Sequence, residues 1–210
     1  VAAEPIRAVL YDYGNVIVGW DPGRLYSRVI PDPDRRARFL EDVCPMSWHL
    51  LHDRGHAMAE TIPARQALFP EFAAEIAMWR THFADMISGP IPGTVALIET
   101  LAGVGTPQYV LTNMPDEMVG VCFEPYDLER HFKDVIVSGR ERVAKPDPEI
   151  FKISLRRMGG LPAGSVLFAD DSPANIAAAA AMGFQTCLFE NPIDGPLALR
   201  AAMAEGGLPV

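Results

Sequence analysis

The sequence predicts an α/β protein: a doubly wound, parallel, five-stranded sheet with helices on both faces and a helical insertion after the first strand. Three observations point there. Five short apolar runs, rich in Val, Leu, Ile and aromatic residues, lack strict alternation, which is the pattern of strands covered on both faces. The segments between them carry helix start and stop signals. The stretch from about residue 22 to residue 88 contains no convincing strand.

The first run covers residues 7–11 and leads into Asp12. In the insertion, segments such as 32–43 and 72–86 read as helices separated by prolines, and Trp48, Phe69, Phe72, Trp79 and Phe83 read as its core. "GTVALIETLAGVG" then has apolar residues at helical spacing and stops at Gly103 and Gly105. The second and third runs cover 108–111 and 134–137. "DPEIFKISLRRMGG" opens with Asp147 as N-cap and Pro148 at the first helical position, and closes at Gly159. After the fourth run, 166–169, "SPANIAAAAAMG" repeats the device with Ser172, Pro173 and Gly183, and the fifth run covers 186–189.

At 210 residues and 49% hydrophobic, the chain is long and apolar enough for a sizeable core. Its net charge of −9, from 18 basic and 27 acidic side chains, repels nucleic acid and anionic membrane, so neither is an expected partner. A small-molecule substrate and a monomer or homodimer are expected instead. Cys44, Cys122 and Cys187 have neither zinc-ligand spacing nor an even count for disulfides. A reduced, cytoplasmic setting is the simplest expectation. It agrees with the lack of signal-peptide character in residues 1–6 and of any apolar run long enough to span a bilayer.

In an open α/β sheet, ligands bind beyond the carboxyl ends of the strands. The residues there are Asp12 after the first run, Thr112 and Asn113 after the second, Lys145 a short loop after the third, and Asp170 and Asp171 after the fourth. Three neighbouring carboxylates repel one another unless a cation sits among them, and a hard, oxygen-ligated Mg2+ suits that set. A metal that offsets phosphate charge lets Asp12 approach as nucleophile. Lys145 and the Thr112 hydroxyl would then hold the non-bridging oxygens.

Four motifs occur in order: "VLYDYGNV", "VLTN", "AKPDPEIF" and "VLFADDSPANI". With them the chain resembles the haloacid dehalogenase-like hydrolases that carry a helical cap. The resemblance implies a Rossmann-like catalytic core over 1–18 and 89–210 and a mobile cap over 19–88. It implies Asp12 as nucleophile, with Mg2+ held by Asp12, the Gly14 carbonyl and Asp171, and Asp170 close by. Thr112, Asn113 and Lys145 would bind the substrate phosphate.

One position departs from the pattern. Most phosphatases of this family carry a second Asp two residues after the nucleophile, as general acid and base; here that residue is Gly14. The Asp-x-Gly-Asn form resembles a subgroup of sugar-1-phosphate phosphatases, which makes sugar phosphates the leading substrate class. A good leaving group, or a residue from the cap, would then have to replace the acid. "WHLLHDRGH" offers His49, His52 and His56 with Asp53 and Arg54, and Arg54 or a neighbouring His is expected to reach the substrate. Asn175 is placed to hydrogen-bond near the metal, and Trp20 and Asp21 fall where a loop would gate the site. Two other readings remain: a metal-independent 2-haloacid dehalogenase using Asp12 to displace halide, and a catalytically weak binding module.

Overall fold

A computed structural model describes residues 4–210. Strand β1 (Ala8–Tyr11) is followed by β2 (Val18–Trp20). Five helices come next: α1 (Pro22–Val29), α2 (Pro33–Arg38), α3 (Met46–Asp53), α4 (Met58–Leu68) and α5 (Ala73–Thr81). The chain returns through β3 (Ile87–Pro90) and then alternates: α6 (Pro92–Gly103), β4 (Gln108–Thr112), α7 (Val119–Phe123), β5 (Asp134–Val137), α8 (Ser138–Glu141) and α9 (Pro148–Arg157). It ends with β6 (Val166–Asp170), α10 (Pro173–Ala181), β7 (Gln185–Leu188) and α11 (Gly195–Glu205).

The expected five-stranded parallel sheet is present, in the order β5-β4-β1-β6-β7. The chain winds outward from central β1 through β4 and β5, then to the other side through β6 and β7. That reversal puts a crevice at the carboxyl end of β1, between β4 and β6. Successive β1 side chains point to opposite faces. Val9 and Tyr11 join the core shared with the insertion, while Ala8 and Leu10 join the core under α9 and α10. Buried Tyr11 Oη donates to Gln108 Oε1 at 2.8 Å, and Gln108 Nε2 donates to the Ile98 carbonyl at 2.9 Å. Neither polar side chain is left without a partner.

The strands differ slightly from expectation. β4 and β6 each run one residue further, so Thr112 and Asp170 sit inside strands and share their rigidity. Ser172 occupies the N-cap position of α10 without a side-chain cap; its backbone N–H donates to Asp170 instead. Asp147 caps α9 as expected, accepting from Glu149 N.

The insertion is less regular than its sequence suggests. Segment 32–43 breaks after α2 into a π-turn over Phe39–Val43. There Cys44 N reaches the Phe39 carbonyl, and the wide turn buries Phe39, Val43 and Cys44 together. Segment 72–86 is α5 followed by a 3-10 turn over Phe83–Met86. The insertion's stem is an antiparallel ribbon of β2 and β3, of which only Ile87 and Ser88 fall in the stretch expected to hold no strand. Strands of three and four residues containing Gly and Pro carry no readable period.

Tyr26, Phe39, Phe72 and Trp79 are fully buried inside the insertion, and Trp48 and Phe83 nearly so. Away from the stem, Glu117 ties the insertion to the loop after β4: it accepts from Met58 N at 2.9 Å and pairs with Arg80 at 2.8 Å. Gly55, with φ +86°, lies where a Cβ would come within 2.8 Å of the Gly139 carbonyl, so only glycine allows this approach. Among the described residues no helix is long and apolar enough to cross a membrane.

Candidate active site

Asp12 is the first residue past β1. Its N–H donates to the Ala169 carbonyl at 2.8 Å, which continues the pairing with β6. Its Oδ1 accepts from Tyr13 N at 2.7 Å and lies 2.8 Å from Lys145 Nζ. The buried Tyr13 ring is stacked on Phe123, and its hydroxyl donates to the Cys122 carbonyl.

Lys145 is buried and its ammonium is fully subscribed. Besides Asp12, Nζ donates to Asp170 Oδ2 at 2.7 Å and to the Leu111 carbonyl at 3.0 Å. An ammonium has three N–H donors, so all three are engaged. Asp170 is fully buried, and its Oδ1 accepts from Ser172 N at 2.8 Å and Asn175 Nδ2 at 2.9 Å. Asp170 thus holds Lys145 in place from beneath the cavity. Asn113 holds it from the side: Lys145 N donates to Asn113 Oδ1 at 2.8 Å, and Asn113 Nδ2 donates to the Lys145 carbonyl at 3.0 Å. The Asn113 side chain, expected to bind substrate, lines the cavity and also holds the lysine's backbone.

Asp171 is half-buried, and its Oδ2 accepts from Asn15 Nδ2 at 3.1 Å. Asn15 was not singled out from sequence. It adopts φ +58° and also accepts from Trp20 N, so it links β2 to Asp171. The available signal was an Asn directly after Gly14, since Asn tolerates the left-handed region better than most residues.

Carboxylate oxygens of Asp12, Asp170 and Asp171 lie within 4.8 Å of one another. Burial pushes the Asp12 carboxyl upward, Lys145 pulls it down, and Asp170 pushes it up again. Burial also raises Asp171, against the Asn15 hydrogen bond. For Lys145 burial acts downward, but Asp12 and Asp170 outweigh it and hold the ammonium above its ordinary range. Three carboxylates against one ammonium leave an excess of negative charge, and an all-oxygen donor set fits a hard divalent cation.

A cavity of about 520 Å3 opens above these groups. Asp12, Gly14, Thr112, Asn113, Lys145, Asp171 and Asn175 line it from the sheet edge. From the insertion and its stem come Trp20, Met46, His49, Leu50, Asp53 and Phe83. A Cβ built on Gly14 would meet only Trp20 Cβ, 4.0 Å away, so the position has room for a side chain's first carbon.

The histidine-rich segment turns a different face to the cavity than expected. Arg54 ends α3, is exposed and does not line the cavity. His52 is buried against Thr61 Oγ1 at 2.6 Å, and His56 is exposed. His49 and Asp53, one helical turn apart, line the cavity instead. Trp79 Nε1 lies 3.1 Å from His49 Nδ1, and His49 Nε2 lies 3.5 Å from Asp53 Oδ1. Burial pushes His49 down to about 3, with His52 adding to it, and pushes Asp53 up to about 7 against the pull of Lys145.

A carboxylate at the end of the central parallel strand, a buried lysine on it and two more carboxylates from the next strand define a hydrolase site of a particular class. A family model for haloacid dehalogenase-like hydrolases matches residues 6–183, and the chain belongs to that family. It is 26% identical over 202 residues to the mouse acyl-CoA dehydrogenase family member 10, covering 89% of this chain and 18% of that protein. It is 32% identical over 113 residues to the phosphoglycolate phosphatase of Rhodospirillum rubrum, covering 52% of this chain and 46% of that one. The chain thus spans less than half the length of either curated relative. Among solved structures, it resembles a HAD family enzyme of Bacteroides thetaiotaomicron in complex with magnesium and inorganic phosphate. That match has a TM-score of 0.67 and 22% identity, covering 89% of this chain and 95% of that one. It also resembles the L-2-haloacid dehalogenase of Xanthobacter autotrophicus, with a TM-score of 0.63 and 20% identity over 87% of this chain and 77% of that one. At such identities the likeness is one of fold.

Proposed function

We propose that this chain is a Mg2+-dependent phosphatase that hydrolyses a small phosphate monoester through an aspartyl-phosphate on Asp12. The observation that carries the reading is Lys145 Nζ, held 2.8 Å from Asp12 at the open end of the sheet beside Asp171. Phosphoglycolate phosphatases among the relatives, and magnesium with phosphate bound to the Bacteroides enzyme, support it. Asp12, the Gly14 carbonyl and Asp171 would hold Mg2+, which when bound offsets the charge of the phosphoryl oxygens.

In the first step an Asp12 carboxylate oxygen attacks phosphorus and the ester P–O bond breaks. Lys145, whose N–H facing Asp12 is released as the carboxylate bonds to phosphorus, and Thr112 stabilise the non-bridging oxygens. The departing oxygen takes a proton from Asp53, which at about 7 still holds one near neutral pH. In the second step water attacks phosphorus, the bond to Asp12 breaks, and Asp53 takes the water's proton back. Inorganic phosphate and the alcohol leave, and both carboxyl groups are restored. Residues 19–88 act as a cap over the core of 1–18 and 89–210 and bring Asp53 to the leaving group.

The dehalogenase reading has less behind it. A 2-haloacid carries a carboxylate, and in a reaction that uses no metal the clustered carboxylates of Asp12, Asp170 and Asp171 would face it, with Lys145 the only lysine or arginine among the described cavity-lining residues. Incubation with phosphate esters and 2-chloro acids, with Mg2+ and with EDTA, tests the proposal. Mg2+-dependent phosphate release, lost in Asp12→Asn, is expected. Halide release insensitive to EDTA would overturn it.

A further inference from the structure

The two ends of the cavity come from different parts of the chain and differ in chemistry. The sheet edge supplies the charged groups. The opposite wall is built by the ribbon, α3 and the turn after α5, through Val18, Trp20, Met46, Leu50, Phe83 and Ile87. The polar groups of that wall are Ser47, His49, Asp53 and the Trp20 indole N–H, and among the described residues Trp20 Nε1 and Asp53 Oδ1 are buried without a hydrogen-bond partner. The His49 ring nitrogens face Trp79 and Asp53, and Trp20 stacks on the ring at 5.2 Å. Among the described lining residues Lys145 is the only lysine or arginine, and it sits at the sheet edge against Asp12 and Asp170, not on this wall.

We infer that the ester this site takes has an uncharged, apolar leaving group, an alkyl or aryl alcohol; the inference rests on the phosphatase reading. A carboxylate-bearing leaving group would be drawn from water to a wall that carries Asp53 and no cation, and burial of an unpaired charge is costly. A sugar, the class the first motif resembles, would bring several hydroxyls that each need a partner once buried. Ser47, Asp53 and the Trp20 N–H are too few for that. An apolar group gains by leaving water for the side chains of Val18, Met46, Leu50, Phe83 and Ile87, and the single ester oxygen it brings is within the capacity of Asp53 and the Trp20 N–H. At about 520 Å3 the cavity lies in the range of ordinary small-molecule sites and leaves room beyond a phosphoryl group. Met46, 52% exposed, adds an adaptable thioether to the lining.

The test uses ethyl, butyl and hexyl phosphate with the Mg2+-supplemented protein. Their leaving groups are chemically alike, so chain length reads the wall and not the reaction. kcat/KM is expected to rise about fourfold per methylene until the wall is covered. Phosphoglycolate and glucose 6-phosphate should fall below butyl phosphate, and Leu50→Arg should raise phosphoglycolate relative to hexyl phosphate. A flat series, or a preference for either polar ester, overturns the inference and leaves the phosphatase reading standing. If no ester is turned over, the phosphatase reading falls, and calorimetry with butylphosphonate, hexylphosphonate and phosphonoacetate decides alone. Affinity that grows with the alkyl chain supports the apolar wall. Phosphonoacetate binding as well as hexylphosphonate, or no binding at all, overturns it.

Discussion

Trp79 Nε1 lies 3.1 Å from His49 Nδ1, and an indole N–H can only donate. His49 Nδ1 must therefore accept, so the neutral ring carries its proton on Nε2, facing Asp53 Oδ1. Burial keeps the ring neutral, with His49 pushed down to about 3. One tryptophan in the last turn of α5 thus sets which way a proton points beside the cavity.

From this arrangement, Asp53→Asn should lower kcat on alkyl phosphates by about 10²-fold or more. The parent should lose kcat as pH rises through about 7, where Asp53 gives up its proton. The variant should show no such limb, which pH–rate profiles on butyl phosphate would check. An unchanged limb would remove Asp53 from the proton transfer.

Stability should respond to the same group in a set direction. The folded-state pKa of Asp53, about 7, is raised above the ordinary carboxyl value. Its contribution is complete below about pH 4 and is lost as pH rises through 7. Asp53→Asn should therefore gain on the parent with rising pH, by on the order of 2–4 kcal/mol at pH 8. Urea unfolding at pH 4, 6 and 8 measures this.

Lys145→Met should be costly in a different way. Asp12 and Asp170 would lose the ammonium 2.8 and 2.7 Å away. Removing one partner of a buried ion pair costs about 3–5 kcal/mol. If charge is the cause, millimolar Mg2+ should recover part of the loss in thermal unfolding, whereas a simple packing defect would not respond.

The room for a Cβ at Gly14 gives a rescue experiment. With Mg2+ present Gly14→Asp should fold, since a Cβ there meets only Trp20 Cβ at 4.0 Å, while in EDTA the added carboxylate beside Asp12 and Asp171 should lower stability. Introduced into Asp53→Asn, it should recover about tenfold or more of the lost turnover on butyl phosphate by supplying a second acid. A double variant no faster than Asp53→Asn would argue that proton transfer is not what was lost.

Mg2+ at 100 times its Kd should stabilise the EDTA-treated protein by about 2.7 kcal/mol. Asp171→Asn should abolish most of that gain. Asn15→Ala, which frees the Asp171 carboxylate from its hydrogen bond, should weaken Mg2+ binding less.

Much of the architecture was readable because buried parallel strands and capped helices leave local marks. "VLYD" and "VLFADD" put Asp12 and Asp171 at strand ends that the fold does bring together. What escaped depends on orientation and on partners distant in sequence. Arg54 and Asp53 are adjacent, yet one faces solvent and the other the cavity; a helical wheel pairing His49 with Asp53 was the available clue. Asn113 looks like any strand-end polar residue until the loop carrying Lys145 folds against it. Asn15 matters through Asp171, 156 positions away. The stem ribbon is too short to carry a pattern.

All three tryptophans of the chain, Trp20, Trp48 and Trp79, lie between β1 and α6, and the rest of the sequence has none. Trp20 lines the cavity, while Trp79 holds the histidine beside it. The tryptophan fluorescence of the protein, excited selectively over tyrosine, therefore comes from the insertion and its stem and none of it from the sheet. Ligand arrival beside Trp20 can be followed in the native chain without a label.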